Sequence, residues 1–194
     1  MKTFNFARGM WDPAELPMTY TPMCKDYTIV HQEDDCISSG FNQKIERYDY
    51  IGIGMPEPVS GDCTVTARCA FENHGAPMID LVDSVHTDSE GRRINDAHYE
   101  IVVYGNGCNI WRVLPEENPE LSERPFSVLK VAREEFSIPD NTVVELEVRV
   151  KGKRLYVRVN DYRFEADVPD LPDTYFVGAT LCEGDARLYE LSIE

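Results

Sequence analysis

The sequence predicts an all-β fold of two stacked antiparallel sheets, and three observations predict it. Residues 143–168, VVELEVRVKGKRLYVRVNDYRFEADV, alternate apolar and polar side chains through three runs. Two turn dipeptides, Lys151-Gly152 and Asn160-Asp161, separate those runs. Turn-forming Pro, Gly, Asn and Asp recur about every 8–12 residues, the spacing of short strands in a sandwich. No apolar pattern of period 3.6 lasts beyond a turn or two of helix.

In chain order the expected strands are 2–7, 27–31, 48–54, 62–71, 78–84, 97–104, 108–114, 126–132, 142–150, 153–159, 162–168, 175–181 and 186–193. Residues 8–24 carry Trp11, Pro13, Pro17 and Pro22, which argues against a central strand there. The Gly52-x-Gly54 pair has no helix after it, so it reads as strand or bulge and not as a nucleotide loop. In 62–71, Cys63, Val65, Ala67, Cys69 and Phe71 point inward, while Asp62, Thr64, Thr66 and Arg68 point outward. Residues 85–96 and the acidic, Pro-rich 115–125 read as long loops. In the meander, Val144, Leu146 and Val148 are expected opposite Val159, Val157 and Leu155, which in turn face Tyr162, Phe164 and Ala166. The other face pairs Glu145 with Arg158, Glu147 with Tyr156, and Arg154 with Asp167.

With 194 residues and no linker, the chain reads as a single β-sandwich domain over 1–194 with a real core. Its net charge of −16 opposes nucleic-acid binding and docking to an anionic membrane. Neutral ligands, cationic ligands and metals stay compatible with it. MKTFNFARGMWDP has no apolar signal core, and no run approaches the ~20 apolar residues of a membrane span, so the expected location is cytoplasmic. The six cysteines form no CxxC, and no histidine sits at zinc spacing from them. Cys63 and Cys69 lie on one face of one strand, roughly 20 Å apart, too far to bond. Most of the six read as buried, reduced thiols.

At this point the chain resembles the concanavalin A-like lectin and glucanase superfamily, a two-sheet jelly roll. The pattern spans residues 97–193: HYEIVVY, NIWRV, ELEVRVKGKRLYVRVNDYRFEA, YFVGATL and the closing LYELSIE. The resemblance implies a last strand returning beside the first and a carbohydrate held on a concave sheet face.

The hairpin 97–114 carries the residues suited to that role. A turn at Asn106-Gly107 pairs Tyr104 with Asn109, Val102 with Trp111, and Glu100 with Val113. One face then holds Tyr99, Ile101, Val103, Cys108, Ile110 and Leu114. The other holds His98, Glu100, Val102, Tyr104, Asn109 and Trp111, a mixture of aromatic plates with donors and acceptors. A sugar needs that mixture, because its CH face stacks on a ring while its hydroxyls need polar partners.

MIDLVDS, Met78–Ser84, echoes the laminarinase-type pattern of carboxylates on one strand. Asp80 and Asp83 fall at the middle and last positions, but Met78 stands where that pattern has its nucleophile, and a thioether cannot serve there. The galectin pattern is absent, since Trp111 is followed by Arg112-Val113-Leu114-Pro115. A different pair, Glu100 with Asp80, is a candidate for glycoside chemistry, which requires carboxyls about 5–5.5 or 6.5–9.5 Å apart. The expected function is therefore a lectin-like domain binding a carbohydrate or glycoside through Trp111, Tyr104, Asn109 and His98. One alternative is a hydrolase or lyase using Glu100 and Asp80. Another is a non-catalytic accessory subunit docking a partner protein. No cofactor is expected. Calcium would fall to Asp83, Asp88 and Asp96, but the 87–91 loop lacks the alternating oxygen ligands of an EF-hand. His31, His74 and His86 are assigned no role.

Overall fold

A computed structural model of the protein describes residues 2–9, 11–12, 15–20, 31–39, 51–116 and 126–194. The strands in order begin with β1 (Lys2–Asn5), β2 (Met18–Tyr20), β3 (His31–Gln32), β4 (Ile37–Ser38), β5 (Ile51–Gly54) and β6 (Val59–Ser60). Next come β7 (Cys63–Glu72), β8 (Ala76–Val82), β9 (Val85–Thr87), β10 (Arg93–Asn95), β11 (His98–Tyr104) and β12 (Gly107–Pro115). The chain closes with β13 (Phe126–Glu134), β14 (Val144–Lys151), β15 (Arg154–Val159), β16 (Tyr162–Asp167), β17 (Thr174–Cys182) and β18 (Asp185–Ile193). A 3-10 turn lies at Phe6–Arg8, and no α-helix occurs among the described residues. The expected strand residues 27–30 and 48–50, most of the 115–125 loop and Cys24 lie outside the described residues.

The strands form two sheets, the sandwich expected from the sequence. The smaller runs β16-β15-β14-β7-β18-β4-β3, with β1 also on β18. The larger runs β13-β12-β11-β8-β17-β5-β2-β10-β9, with β6 on β17. The last strand does return beside the first, Lys2 opposite Ile193. Among the described strands pairing is antiparallel except at Ile94 and Tyr20, where β10 runs parallel to β2.

The meander has the expected faces, because period two survives any even shift of register. Its first turn is displaced, however. Gly152 has φ +57, so it opens the turn with Lys153 and Lys151 stays in the ladder opposite Arg154. Val157 therefore sits between Val148 and Phe164, and Leu146 faces Val159. The β15–β16 pairs are as expected. On the outer face Arg158 reaches Glu145 as anticipated and also Glu147, at 2.5 and 2.8 Å, while Arg154 pairs with Asp167 at 2.8 Å.

Two other expectations are corrected. The polar 85–96 segment is a hairpin, not an irregular loop. Its β9 and β10 are joined through Asp88, whose carboxylate accepts the backbone N–H groups of Glu90 and Arg92 and the Arg92 guanidinium. Residues 18–20 form a strand inside the larger sheet despite the neighbouring prolines. Pro17 offers its carbonyl to the Gly54 N–H, so its missing donor costs nothing there.

The core lies between the inner faces and includes Val65, Ala67, Cys69, Leu81, Ile101, Ile110, Leu146, Leu155 and Val157. Each buried aliphatic side chain contributes about 1.5–3 kcal/mol. The five described cysteines, Cys36, Cys63, Cys69, Cys108 and Cys182, are buried and free. Burial raises the Cys69 thiol to about 12, and burial reinforced by Glu33 and Asp35 does the same at Cys36. The native protein is thus expected to react very slowly with a thiol reagent. Denaturant without reductant should release six titratable thiols. Fewer, with a matching mass deficit, would reveal disulfides and contradict this description.

Candidate functional site

The larger sheet has two faces, and only one joins the core. β11 alternates across them, so Tyr99, Ile101 and Val103 enter the sandwich while His98, Glu100, Val102 and Tyr104 point away. The hairpin partners lie two residues from the expected register. Tyr104 pairs with Gly107, Val102 with Asn109, Glu100 with Trp111, and His98 with Val113. Gly105-Asn106 makes the turn. Gly107 is held in the ladder because only a residue without Cβ fits there: at φ +143, a Cβ would stand 2.2 Å from the Glu134 carbonyl oxygen. The even shift again leaves the faces as expected.

β8 lies on the other side of β11, with Asp80 registered opposite Glu100 and Met78 opposite Val102. β17 follows, with Gly178 opposite Asp80 and Thr180 opposite Met78, then β5 with Gly54 opposite Gly178. One continuous row across five strands is therefore Trp111, Glu100, Asp80, Gly178 and Gly54. Paired Cα atoms on neighbouring antiparallel strands stand about 4.5–5.5 Å apart, so the two carboxylates are immediate neighbours. A separate small apolar cluster of Ala76, Met78, Val102 and Cys182 borders the row, with Tyr104 and Trp111 packed on it.

The polar groups here are buried. Asp80 is 2% exposed, His98 3%, Asn109 5% and Glu100 8%. His98 Nδ1–H donates to the Asp96 carbonyl at 2.5 Å, while Nε2 faces Glu100 Oε1 at 3.3 Å. Both nitrogens meet acceptors, an arrangement that favours the doubly protonated ring. Burial alone would lower the His98 pKa, but Glu100, then Asp80 and the Asp96 carbonyl, turn the shift upward. Asp80 is raised to about 7, first by burial and then by Glu100, against the opposing effects of His98 and the Thr180 hydroxyl. That hydroxyl donates to Asp80 Oδ2 at 2.5 Å. The cluster thus places a carboxyl group whose pKa is pushed up to about 7 beside the His98–Glu100 contact.

Trp111 is half-buried. Its Nε1–H donates to Tyr104 Oη at 3.3 Å, and the Lys130 ammonium lies over the ring, 5.0 Å from the centroid. The ring is not the bare plate that the sequence suggests, because a cation already covers it. Burial raises Tyr104 to about 12, opposed by its hydrogen bonds with Trp111 and Asn109. All six candidate residues, Asp80, His98, Glu100, Tyr104, Asn109 and Trp111, therefore come together on one face. The groups suggested for a cation do not. Asp83 is held by Arg112 at 2.5 Å, Asp88 by Arg92, and Asp96 by Ser84 and His86. Among the described residues no group of three or more His, Cys, Asp or Glu side chains is arranged to hold a metal ion. Sequence reading missed Thr180, Lys130 and the two glycines. The Gly inside YFVGATL was the one visible signal, since glycine in a strand marks a close approach.

The cluster makes stability depend on pH. Asp80 titrates near 4 when unfolded and near 7 when folded, so between those values only the folded state holds its proton. Its contribution is full below about 4 and is lost as pH rises through 7, on the order of a few kcal/mol. His98, also raised, loses stability in the same direction above about 6.5. Urea unfolding should show wild type losing stability from pH 4 to 7 and Asp80→Asn losing distinctly less. Parallel curves would contradict the assignment.

No known family model matches this chain, and no curated protein does. Solved structures do. The carbohydrate binding module CBM66 from Bacillus subtilis is 13% identical, with 92% of this chain and 96% of that one covered at a TM-score of 0.62. A glycoside hydrolase family 16 endo-glucanase from Bacteroides ovatus is 9% identical, with 100% and 99% covered at 0.62. A protein of unknown function with a galectin-like fold, from Bacillus subtilis, is 11% identical, with 100% and 94% covered at 0.65. At such identities the likeness shows the fold, and the chain has the concanavalin A-like jelly-roll fold.

Proposed function

We propose that the chain binds a carbohydrate or glycoside along the row Trp111, Glu100 and Asp80, with His98, Asn109 and Tyr104 beside it. The observation that carries the reading is the burial of three ionisable groups on the sheet face turned away from the core. Such groups cost several kcal/mol to desolvate, and apolar side chains would serve the fold better. Buried carboxylates, one of them with a raised pKa, next to an aromatic side chain suit a ligand with an apolar face and many hydroxyls. Further support is that proteins of this fold include a carbohydrate binding module and a glycoside hydrolase family 16 endo-glucanase.

A second reading, a glycoside-acting hydrolase or lyase, is favoured by one observation: Asp80 keeps its proton up to about 7 beside Glu100. Asp80 would then donate the proton and Glu100 would act as base or nucleophile. The laminarinase-type arrangement does not apply, because Met78 stands at the nucleophile position of that pattern. Titration of a panel of neutral and acidic oligosaccharides by calorimetry tests the first reading. Saturable binding by at least one is expected, and none binding would refute it. Glu100→Gln separates the readings on any ligand found. A binding module should lose only modest affinity, whereas an enzyme should lose turnover and still bind.

A further inference from the structure

The other tryptophan belongs to a different cleft, independent of the site above. Along β1 and the end of β18 runs a cleft of about 850 Å³, lined by Trp11, Arg8 and Glu15 from the segment after β1 and by Asn5, Glu190 and Glu194. Trp11 is fixed there by hydrogen bonds that use every polar group it has. Its backbone N–H donates to Gln32 Oε1 at 2.6 Å, and its carbonyl accepts from Gln32 Nε2 at 2.8 Å. Its indole Nε1–H donates to the Asn5 carbonyl at 3.1 Å. Phe4 and Phe6 pack against it, with centroids at 5.3 and 6.0 Å. What the side chain can still offer the cleft is its π surface, which attracts cations.

Asn5 supplies the second observation. Its Nδ2 donates to the Glu190 carboxylate, while its Oδ1 is buried with no protein donor. Flipping the amide would set Oδ1 against that carboxylate, so the orientation is fixed. A buried acceptor without a donor costs about 1–3 kcal/mol, which a ligand N–H would recover. Three carboxylates, Glu15, Glu190 and Glu194, stand against one cation, Arg8, a formal balance of −2 (three negative, one positive). The lining thus carries a net negative charge.

We propose that this cleft binds a protonated primary amine carried on a compact frame. An ammonium has three donors and no acceptor. It can satisfy Asn5 Oδ1 and Glu190 together while facing the Trp11 ring, and the same surroundings repel phosphates and carboxylates.

The test uses glucosamine as the probe and glucose as its control, since glucose carries a hydroxyl where glucosamine carries the ammonium. The readout is the pair of indole N–H resonances of the intact protein, with that of Trp11 assigned by its loss in Trp11→Phe. Glucosamine is expected to shift the Trp11 signal saturably, and glucose is not. Binding should weaken about tenfold or more in Glu190→Gln and again in the exposed-site variant Glu15→Gln. It should also weaken as ionic strength rises from about 0.05 to 0.5 M. Equal shifts by the two sugars, or no Trp11 shift by glucosamine, overturn the proposal. Because Trp111 reports separately, failure here leaves the proposed carbohydrate row untouched, and the converse holds too.

Discussion

Val157→Asp is expected to abolish cooperative folding. Val157 is 2% exposed at the centre of the meander, between Val148 on β14 and Phe164 on β16. An aspartate there loses the aliphatic packing and places a carboxylate where no described cation reaches. The desolvation penalty of an unpaired buried charge is several kcal/mol, and lost packing adds about 2 more. Together they consume most of the 5–15 kcal/mol that holds a domain folded. The neighbouring Arg158→Ala should cost about 1 kcal/mol or less, although Arg158 bridges Glu145 and Glu147, because its side chain stays in contact with solvent. Urea unfolding of both variants checks the pair. Similar costs would mean that the two faces of the meander are exchanged.

Trp111→Ala is expected to remove most carbohydrate affinity, about 30-fold or more, as for a central aromatic anchor. The ring is half-buried, sits on the Val102 and Met78 cluster and donates to Tyr104. Truncation should therefore also cost about 1–3 kcal/mol of stability, which the domain can tolerate. Val102→Ala, beside it, should affect binding less. If Trp111→Ala does not fold at all, the residue is structural, and the carbohydrate reading keeps only the likeness of fold behind it.

What the sequence made legible follows from how local each signal is. The meander and the 97–114 hairpin could be assigned to faces because alternation and turns lie within about twenty residues, and an error of two in register changes no face. The register itself was misjudged twice for one kind of reason, the position of a glycine. Gly152 opens its turn, while Gly107 is kept in the ladder by the close approach of the Glu134 carbonyl. The strands β2, β9 and β10 stayed hidden because their residues are polar or flanked by proline and gain order only from neighbours already in the sheet. At the site, Glu100, His98, Trp111 and Asn109 were readable from one hairpin. The contact between Thr180 and Asp80 joins positions 100 residues apart, and nothing local announces it. The Lys130 ammonium over Trp111 was invisible for the same reason, since a β13 residue reaches the ring across the sheet.

The central claim is that carbohydrate binds on the Trp111–Glu100–Asp80 row. It is tested most directly by following the two indole N–H resonances while titrating whichever oligosaccharide binds in calorimetry. The account predicts that the Trp111 signal moves with the same saturation as the heat, while Trp11 stays still for a neutral sugar. Saturating heat with a silent Trp111 resonance would put the ligand elsewhere and contradict the claim.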